Sequence, residues 1–533
     1  MRVRGGKWCV TQRGGIAELR GPEQNGECDI NRRNLLKVAA LAAGAATMSI
    51  GQSHAAVRPN DALALTATEA VAAIRRGDIT AEAYAKTLLA RAEAFKHLNA
   101  YIVLNRSGLL AAARAVDVER SKGGTLGRLA GLPLLVKDNI DTKGLPTTAG
   151  TKGLAANRPK HAAPALAPLL AAGAAVMAKT NMHELAFGIT SSNSAFGFAE
   201  NPYDTAAIPG GSSGGTAAGI AARMAPAGLG TDTGGSVRIP PALCGVVGFR
   251  PSVDNGHKRY PSKGVVPVSH TRDTVGPMGR TVADVALLDS VITGDQEYAP
   301  AKLAGLRLGV PRGYFWEDLD PELSAVMDAA LVKLRDRGAV LVEADLTGVG
   351  ELNGKISFPV ALYEVGPDLR AYLKSEGGTT SFDQVEAQIA SKDVAGAFGG
   401  AKTMPKEAYD AAINTYRPQL QKLYADYFVQ QKVAAILFPT TPLPARPINK
   451  DGDTGKDTVQ LNGKEVPTFQ TYIRNTDPGS NAGIPGLSLP VGLTNSGLPV
   501  GLELDGPVNS DRRLLAIGLS IERVFGRLPP PKL

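Results

Sequence analysis

From residue 56 onward the chain alternates between amphipathic stretches, with apolar residues three and four apart, and short runs of consecutive apolar residues. These are the periods of surface-packed helices and buried strands. Residues 66–76 and 80–95 read as helices. The run Gly131-Leu132-Pro133-Leu134-Leu135-Val136 reads as a buried strand ending at Lys137, residues 163–172 as a helix stopped by Gly173, and residues 174–178 as the next strand. The same rhythm predicts helices over 214–223, 284–292, 321–337 and 511–525. Strands are predicted over 227–230, 246–249, 306–310, 339–342, 435–438 and 487–491. Alternation to the end of the chain implies an α/β fold: a single large domain with a mixed central sheet covered on both faces by helices. Residues 351–430 break the rhythm and read as a helical insertion, with a mobile loop at Gly396 to Gly400. The polar stretch from Gly452 to Gly463 reads as a surface hairpin.

Residues 1–55 follow a different pattern. Asn31-Arg32-Arg33-Asn34-Leu35-Leu36-Lys37 precedes an Ala-rich apolar run from Val38 to about Ile50 and then Ser53-His54-Ala55-Ala56. That order is the one of a twin-arginine export signal: paired arginines, a short weakly hydrophobic segment and a small-x-small cleavage site. The apolar run is too short to span about 30 Å of hydrocarbon as a helix. The expectation is a leader over 1–55 cleaved near Ala55/Ala56, engagement of the twin-arginine export machinery, and a periplasmic mature protein over 56–533 with no stable membrane span.

Composition narrows the chemistry. With 44% hydrophobic and 20% charged residues among 533, the chain is a folded globular protein. The formal charge of +8 is concentrated at the start, and residues 56–533 carry an excess of only four cations without a long basic run, so nucleic-acid binding is not expected. Of three cysteines, Cys9 and Cys28 lie in the leader and Cys244 stands alone, which excludes a disulfide framework. The six histidines are scattered with no paired spacing, so no metal site is expected.

The most informative segments are Pro209-Gly210-Gly211-Ser212-Ser213-Gly214-Gly215 and Gly230-Thr231-Asp232-Thr233-Gly234-Gly235-Ser236-Val237-Arg238-Ile239-Pro240. Each places a Gly-flanked serine just before a helical pattern, where glycines allow close approach to backbone N–H groups. Three readings are open. Phosphate binding at a helix N-terminus fits the glycines, but neither loop continues into Lys-Ser or Lys-Thr as a P-loop does. A purely structural strand-to-helix turn fits either loop alone. Acyl transfer fits both together: a serine attacks a carbonyl and neighbouring N–H groups hold the oxyanion. Such a serine needs a base, and no histidine adjoins either loop. Lys137, at the carboxyl end of an apolar strand, would serve if desolvation made its amine neutral.

The blocks Gly131 to Asn139, Gly210 to Gly215 and Asp232 to Pro240 together resemble the amidase signature family. They occur in family order, with 75 residues from Lys137 to Ser212 and 24 from Ser212 to Ser236. The resemblance implies that Ser236 is the nucleophile, Ser212 a bridging serine preceded by a cis peptide bond, and Lys137 the base. It implies an oxyanion hole from the N–H groups of Thr233, Gly234, Gly235 and Ser236, a backbone contact to substrate at Ala186, and no metal or organic cofactor. Asp232 and Arg238 are expected to form a structural salt link around the nucleophile, and Ser213 to support its loop by hydrogen bonding. Cys244 is read as packing and His183 as a satisfied polar residue. The run Ala242 to Ser252 with Thr271-Arg272-Asp273-Thr274 is similar to the indoleacetamide and mandelamide hydrolase branch, which suggests a small aryl or arylalkyl primary amide as substrate. A fatty-acid or peptide amide, a carbamate or an ester stays open, as do a glutaminase-like subunit of a tRNA-dependent amidotransferase, a non-catalytic binding protein and a homodimeric assembly.

Overall fold

The computed structural model describes residues 9–13, 16–20, 58–254, 257–296, 298–375, 380–449 and 457–533. The chain divides into two units, Met1–Ala55 and Ala56–Leu533. Within the first, Cys9–Arg13 pairs antiparallel with Ile16–Arg20, an element the sequence reading did not foresee. The arginine pair and the apolar run after it lie outside the described residues.

The second unit is built on an eleven-stranded sheet. In chain order its strands are β1 Tyr101–Leu104, β2 Pro133–Lys137, β3 Ala175–Thr180, β4 Ala227–Asp232, β5 Val247–Arg250 and β6 Thr274–Gly279. They continue with β7 Arg307–Val310, β8 Val340–Glu343, β9 Ala435–Pro439, β10 Gly486–Leu493 and β11 Pro499–Asp505. The spatial order is β8-β7-β9-β11-β10-β5-β6-β4-β2-β3-β1. Parallel pairs join β8, β7 and β9 on one side and β4, β2 and β3 on the other, while the middle strands run antiparallel, so the sheet is mixed as anticipated. Helices flank it, and among the described residues no helix is long and apolar enough to cross a membrane.

The strands beneath the Gly-Ser loops are buried at every position, which is why β2 reads as an unbroken apolar run. The helix Gly214–Ala221 is buried along its whole length, and its small residues follow from that contact. A Cβ on Gly215 would stand 2.4 Å from the Asn181 carbonyl oxygen. Helix starts were legible because their caps are local: Thr66 forms a capping box with Glu69, and the Thr80 hydroxyl accepts from the Ala83 N–H.

Several elements differ from expectation. The helix sought over 163–172 shortens to Ala167–Ala171, because Pro168 is tolerated only in a first turn. Strand β6 was missed because Gly276 and Pro277 interrupt its apolar run. There, a Cβ on Gly276 would meet the Phe249 carbonyl oxygen at 2.4 Å, so the glycine permits close strand approach. Strands β1 and β11 and the helix Arg106–Ser121 were also missed. The helix buries only Leu109 and Ala113, too narrow a stripe to read. The loop expected at Gly396 to Gly400 lies within the helix Lys392–Thr403, held by buried Val394 and Phe398 one turn apart. The region 351–430 is helical, led by Val349–Ser375 and closed by Arg417–Gln431. The expected hairpin pairs Thr458–Leu461 with Lys464–Pro467 around Asn462-Gly463, both at positive φ, while residues 451–456 lie outside the described set.

Candidate active site

Strands β2 and β4 are parallel neighbours, so their carboxyl ends bring Lys137 beside Thr231. The Lys137 side chain is fully buried, and Nζ lies 2.7 Å from Ser212 Oγ and 2.8 Å from Thr231 Oγ1. The Asn139 amide also donates to Thr231 Oγ1, at 3.0 Å. Burial drives the Lys137 amine down to about 7; Asp232 and Asp273 oppose the shift without cancelling it. A substantial neutral fraction therefore exists near neutral pH.

Ser212 follows a cis peptide bond from Gly211, in the loop leading into Gly214–Ala221. Its carbonyl accepts from the His183 N–H at 3.1 Å. Ser213 Oγ lies 3.3 Å from the Thr231 carbonyl and 3.4 Å from its N–H, tying the loop to β4. The loop also packs on the chain after Ser236: a Cβ on Gly210 would stand 2.9 Å from the Pro240 Cα.

Ser236 sits between β4 and the helix Ile239–Cys244 and retains only 7% exposure. Gly235 precedes it at φ +149, a backbone state that favours glycine. The N–H groups of Thr233, Gly234, Gly235 and Ser236 meet no acceptor among the described residues. The adjoining carbonyls are engaged instead: Arg272 Nε donates to the Thr233 carbonyl at 3.1 Å and Thr476 Oγ1 to that of Gly234 at 2.7 Å. The loop is thus fixed through its oxygens, while these four N–H groups stay unengaged among the described residues.

A buried clamp straddles the serine. Asp232 Oδ2 accepts from the Val237 N–H at 3.1 Å and from Arg238 Nε at 3.1 Å, while Oδ1 accepts from Arg238 Nη2 at 3.2 Å and Arg250 Nη1 at 2.8 Å. The two guanidiniums hold the Asp232 carboxyl well below its ordinary range despite full burial. The expected Asp232–Arg238 link is present and larger than anticipated.

Ser236, Ala186, Thr233 and Gly234 line a cavity of about 50 Å³ walled by Phe187, Phe358 and Phe469. The same three rings border a second cavity of about 610 Å³, reaching His183, Thr190, Asp393 and Asp457. Phe358 and Phe469 lie 5.9 Å apart between centroids. Ala186, for which the resemblance implies a backbone contact to substrate, lies on the wall of the smaller cavity at φ +58.

Comparison with known proteins decides the family. The amidase family model matches residues 83–515. The chain belongs to the amidase signature family. It is 46% identical over 456 residues to an indoleacetamide hydrolase of Agrobacterium vitis, covering 85% of this chain and 95% of that one. It is 39% identical over 495 residues to a mandelamide hydrolase of Pseudomonas putida, covering 89% and 94%. A crystal structure of an amidase superposes with a TM-score of 0.77 at 32% identity, covering 87% of this chain and all of that one. The protein is an amidase, a hydrolase acting on linear amides to give carboxylate and ammonia.

In this amidase Cys244 is buried with Sγ 3.3 Å from the Pro209 carbonyl, and burial pushes its thiol up, as suits a packing residue. His183 is paired, with Nε2 2.7 Å from Asp393 Oδ2 and Nδ1 3.3 Å from Thr190 Oγ1. Sequence reasoning missed Thr231, Arg250 and the aromatic walls. Thr231 lay inside the quoted motif, and Arg250 ends an apolar strand as Lys137 does, so both had a local signal. Phe187, Phe358 and Phe469 are spread over almost 300 residues of chain and had none. Among the described residues, His270, Glu364 and Asp368 gather three side chains with metal-ligand atoms within 4.8 Å. Glu364 is already engaged there by Ser269 Oγ, the Thr271 hydroxyl and N–H and the Tyr409 hydroxyl, and His270 by Asp368.

Proposed function

We propose that this amidase hydrolyses a small aryl or arylalkyl primary amide through Ser236 as nucleophile, Ser212 as proton relay and Lys137 as base. The observation that carries the reading is a fully buried lysine amine, lowered to about 7, in hydrogen-bond contact with Ser212. In the acylation step Ser236 Oγ bonds to the amide carbon, and its proton passes through Ser212 to Lys137 Nζ. The N–H groups from Thr233 to Ser236 hold the oxyanion. Collapse breaks the carbon–nitrogen bond as the proton returns to the leaving nitrogen, releasing ammonia. Water then attacks the ester by the same relay and frees the carboxylate and Ser236. The three phenylalanine walls beside Ser236 support an aromatic acyl group, whose flat faces they would pack.

Ammonia release from a panel of arylacetamides, alkyl amides and peptide amides tests the substrate reading. Phenylacetamide and its larger aryl relatives should lead the panel, and preference for alkyl or peptide amides would reject it. Ammonia transfer that depends on tRNA would instead favour the amidotransferase reading.

We further propose that residues 1–55 are a twin-arginine leader and that the mature enzyme is periplasmic, beginning near Ala56. The ordered run of Arg32-Arg33, the apolar segment and Ser53-His54-Ala55 supports this. N-terminal sequencing of the exported protein should read from about Ala56; an intact leader would reject it.

A further inference from the structure

Beneath the Ser236 loop, strand β11 carries two carboxylates that the hydrolytic scheme does not use. Glu503 and Asp505 are both fully buried. Glu503 Oε1 accepts from Arg238 Nη1 at 3.2 Å, and Asp505 Oδ1 lies 4.0 Å from the same nitrogen. Both carboxylates converge on Gly486, where a Cβ would stand 2.7 Å from Asp505 Oδ1 and 2.8 Å from Glu503 Oε1. Both oxygens of Asp505 meet no hydrogen-bond donor among the described residues, whereas Glu503 has the Thr440 hydroxyl beside it as well as Arg238.

The charges facing this spot do not balance if every group is ionised. Asp232 comes from β4, Glu503 and Asp505 from β11, Arg250 from β5 and Arg238 from the turn after Ser236, giving three carboxylates to two guanidiniums. Lys137 also faces Asp232, but burial lowers its amine to about 7, so it supplies no cation on the alkaline side. The neighbouring Arg272 and Asp477 neutralise each other as a direct pair. Tyr424, from Arg417–Gln431, is buried and its hydroxyl has no partner among the described residues, so it brings no charge. A lone buried carboxylate without donors is costly, and protonation is the ordinary remedy. Burial raises both carboxyls, each the more for its neighbour's negative charge or that of Asp232.

We propose that Glu503 and Asp505 are a positioning pair that retains one proton between them in the working enzyme, and that this proton keeps Arg238 clasped on Asp232 and the Ser236 loop in register. Arg238 divides its donors, Nε and Nη2 to Asp232 and Nη1 towards the pair. With one proton present, three carboxyl groups carry two charges and match the two guanidiniums. Loss of that proton at alkaline pH adds a negative charge on the Nη1 side. The added charge draws Arg238 away from the carboxylate that fixes Asp232 to Val237 across the serine.

The test is kcat and KM for phenylacetamide against pH in the parent, Glu503→Gln and Asp505→Asn. In the parent, kcat should fall about tenfold on the alkaline side, as expected for roughly one pKa unit of differential interaction, with KM changing much less. In either variant the remaining carboxylates balance the arginines without a proton, so the alkaline fall should vanish. A packing role alone would change activity equally at every pH. Glu503→Leu, which removes the acceptor facing Arg238, should lower kcat and, like Glu503→Gln, lose the alkaline fall. Infrared difference spectra of the unaltered protein give a second readout, independent of turnover and of variant folding. They should show a protonated-carboxyl band that disappears on alkaline titration. Variant pH profiles that superimpose on the parent, or the absence of a titrating carboxyl band, would overturn the proposal.

Discussion

Thr231 shows how one side chain can set the behaviour of another. Its hydroxyl oxygen faces Lys137 Nζ at 2.8 Å and the Asn139 amide at 3.0 Å, so it holds the amine in place and favours its charged form. Thr231→Val should therefore lower kcat by about tenfold and move the acidic limb of the rate profile to lower pH, with KM little changed. Steady-state kinetics across pH would check this, and an unmoved limb would count against the contact. Ser236→Ala should lower turnover by about 10⁴-fold or more. Cys244→Ala should keep turnover within about twofold, since its thiol is raised by burial and bonds a backbone carbonyl. At this scale the sequence was informative. Lys137, Ser212, Ser236, Asp232 and Arg238 each lie within short contiguous motifs, and it was the family resemblance of those motifs taken together, more than the local chemistry of any one, that assigned them roles. The deeper partners of Arg238 were not legible, because Glu503 and Asp505 reach it from 265 and 267 residues away across a strand that mixes acidic and apolar positions.

Among elements, those with local signals were found and those defined by their neighbours were not. Strand β2 announces itself by an apolar run, whereas β6 and β11 become strands because adjoining strands accept them. The helix Lys392–Thr403 hid behind its glycines, yet it carries Asp393 to His183, whose N–H holds the Ser212 carbonyl. The aromatic wall illustrates the same difficulty: Phe358 comes from Val349–Ser375 and Phe469 from Thr468–Ile473. Phe358→Ala and Phe469→Ala should each raise KM for phenylacetamide about tenfold while leaving kcat largely intact, the mark of lost ground-state packing. Equal KM values in parent and variants would remove these rings from the binding site.

For the whole molecule, buried ionisable groups tie folding to pH. Asp505 is raised by burial, so the folded chain holds its proton above the ordinary carboxyl range while the unfolded chain has released it. Its contribution to stability therefore falls as pH rises from about 4 through the folded value. Asp505→Asn should gain in Tm relative to the parent as pH increases across that window, and a constant difference would contradict the assignment. Asp232 has the opposite sign. Its folded value is depressed, so its stabilisation is full above the ordinary carboxyl range and is lost in strong acid. Lys137 is lowered to about 7, so between that value and 10.5 the unfolded chain binds more protons and stability rises with pH. Lys137→Met should accordingly stabilise the fold most in mildly acidic solution, where the buried ammonium is least welcome.

The hydrolytic scheme turns on an amine that gives up its proton near pH 7 in the free enzyme, and kcat/KM for phenylacetamide against pH in the parent and in Lys137→Ala addresses that point directly. The parent should rise through an acidic limb centred at about pH 7, while the variant should be slower by several orders of magnitude and lack the limb. A variant that keeps the parent rate, or keeps the same limb, would show that Lys137 is not the base.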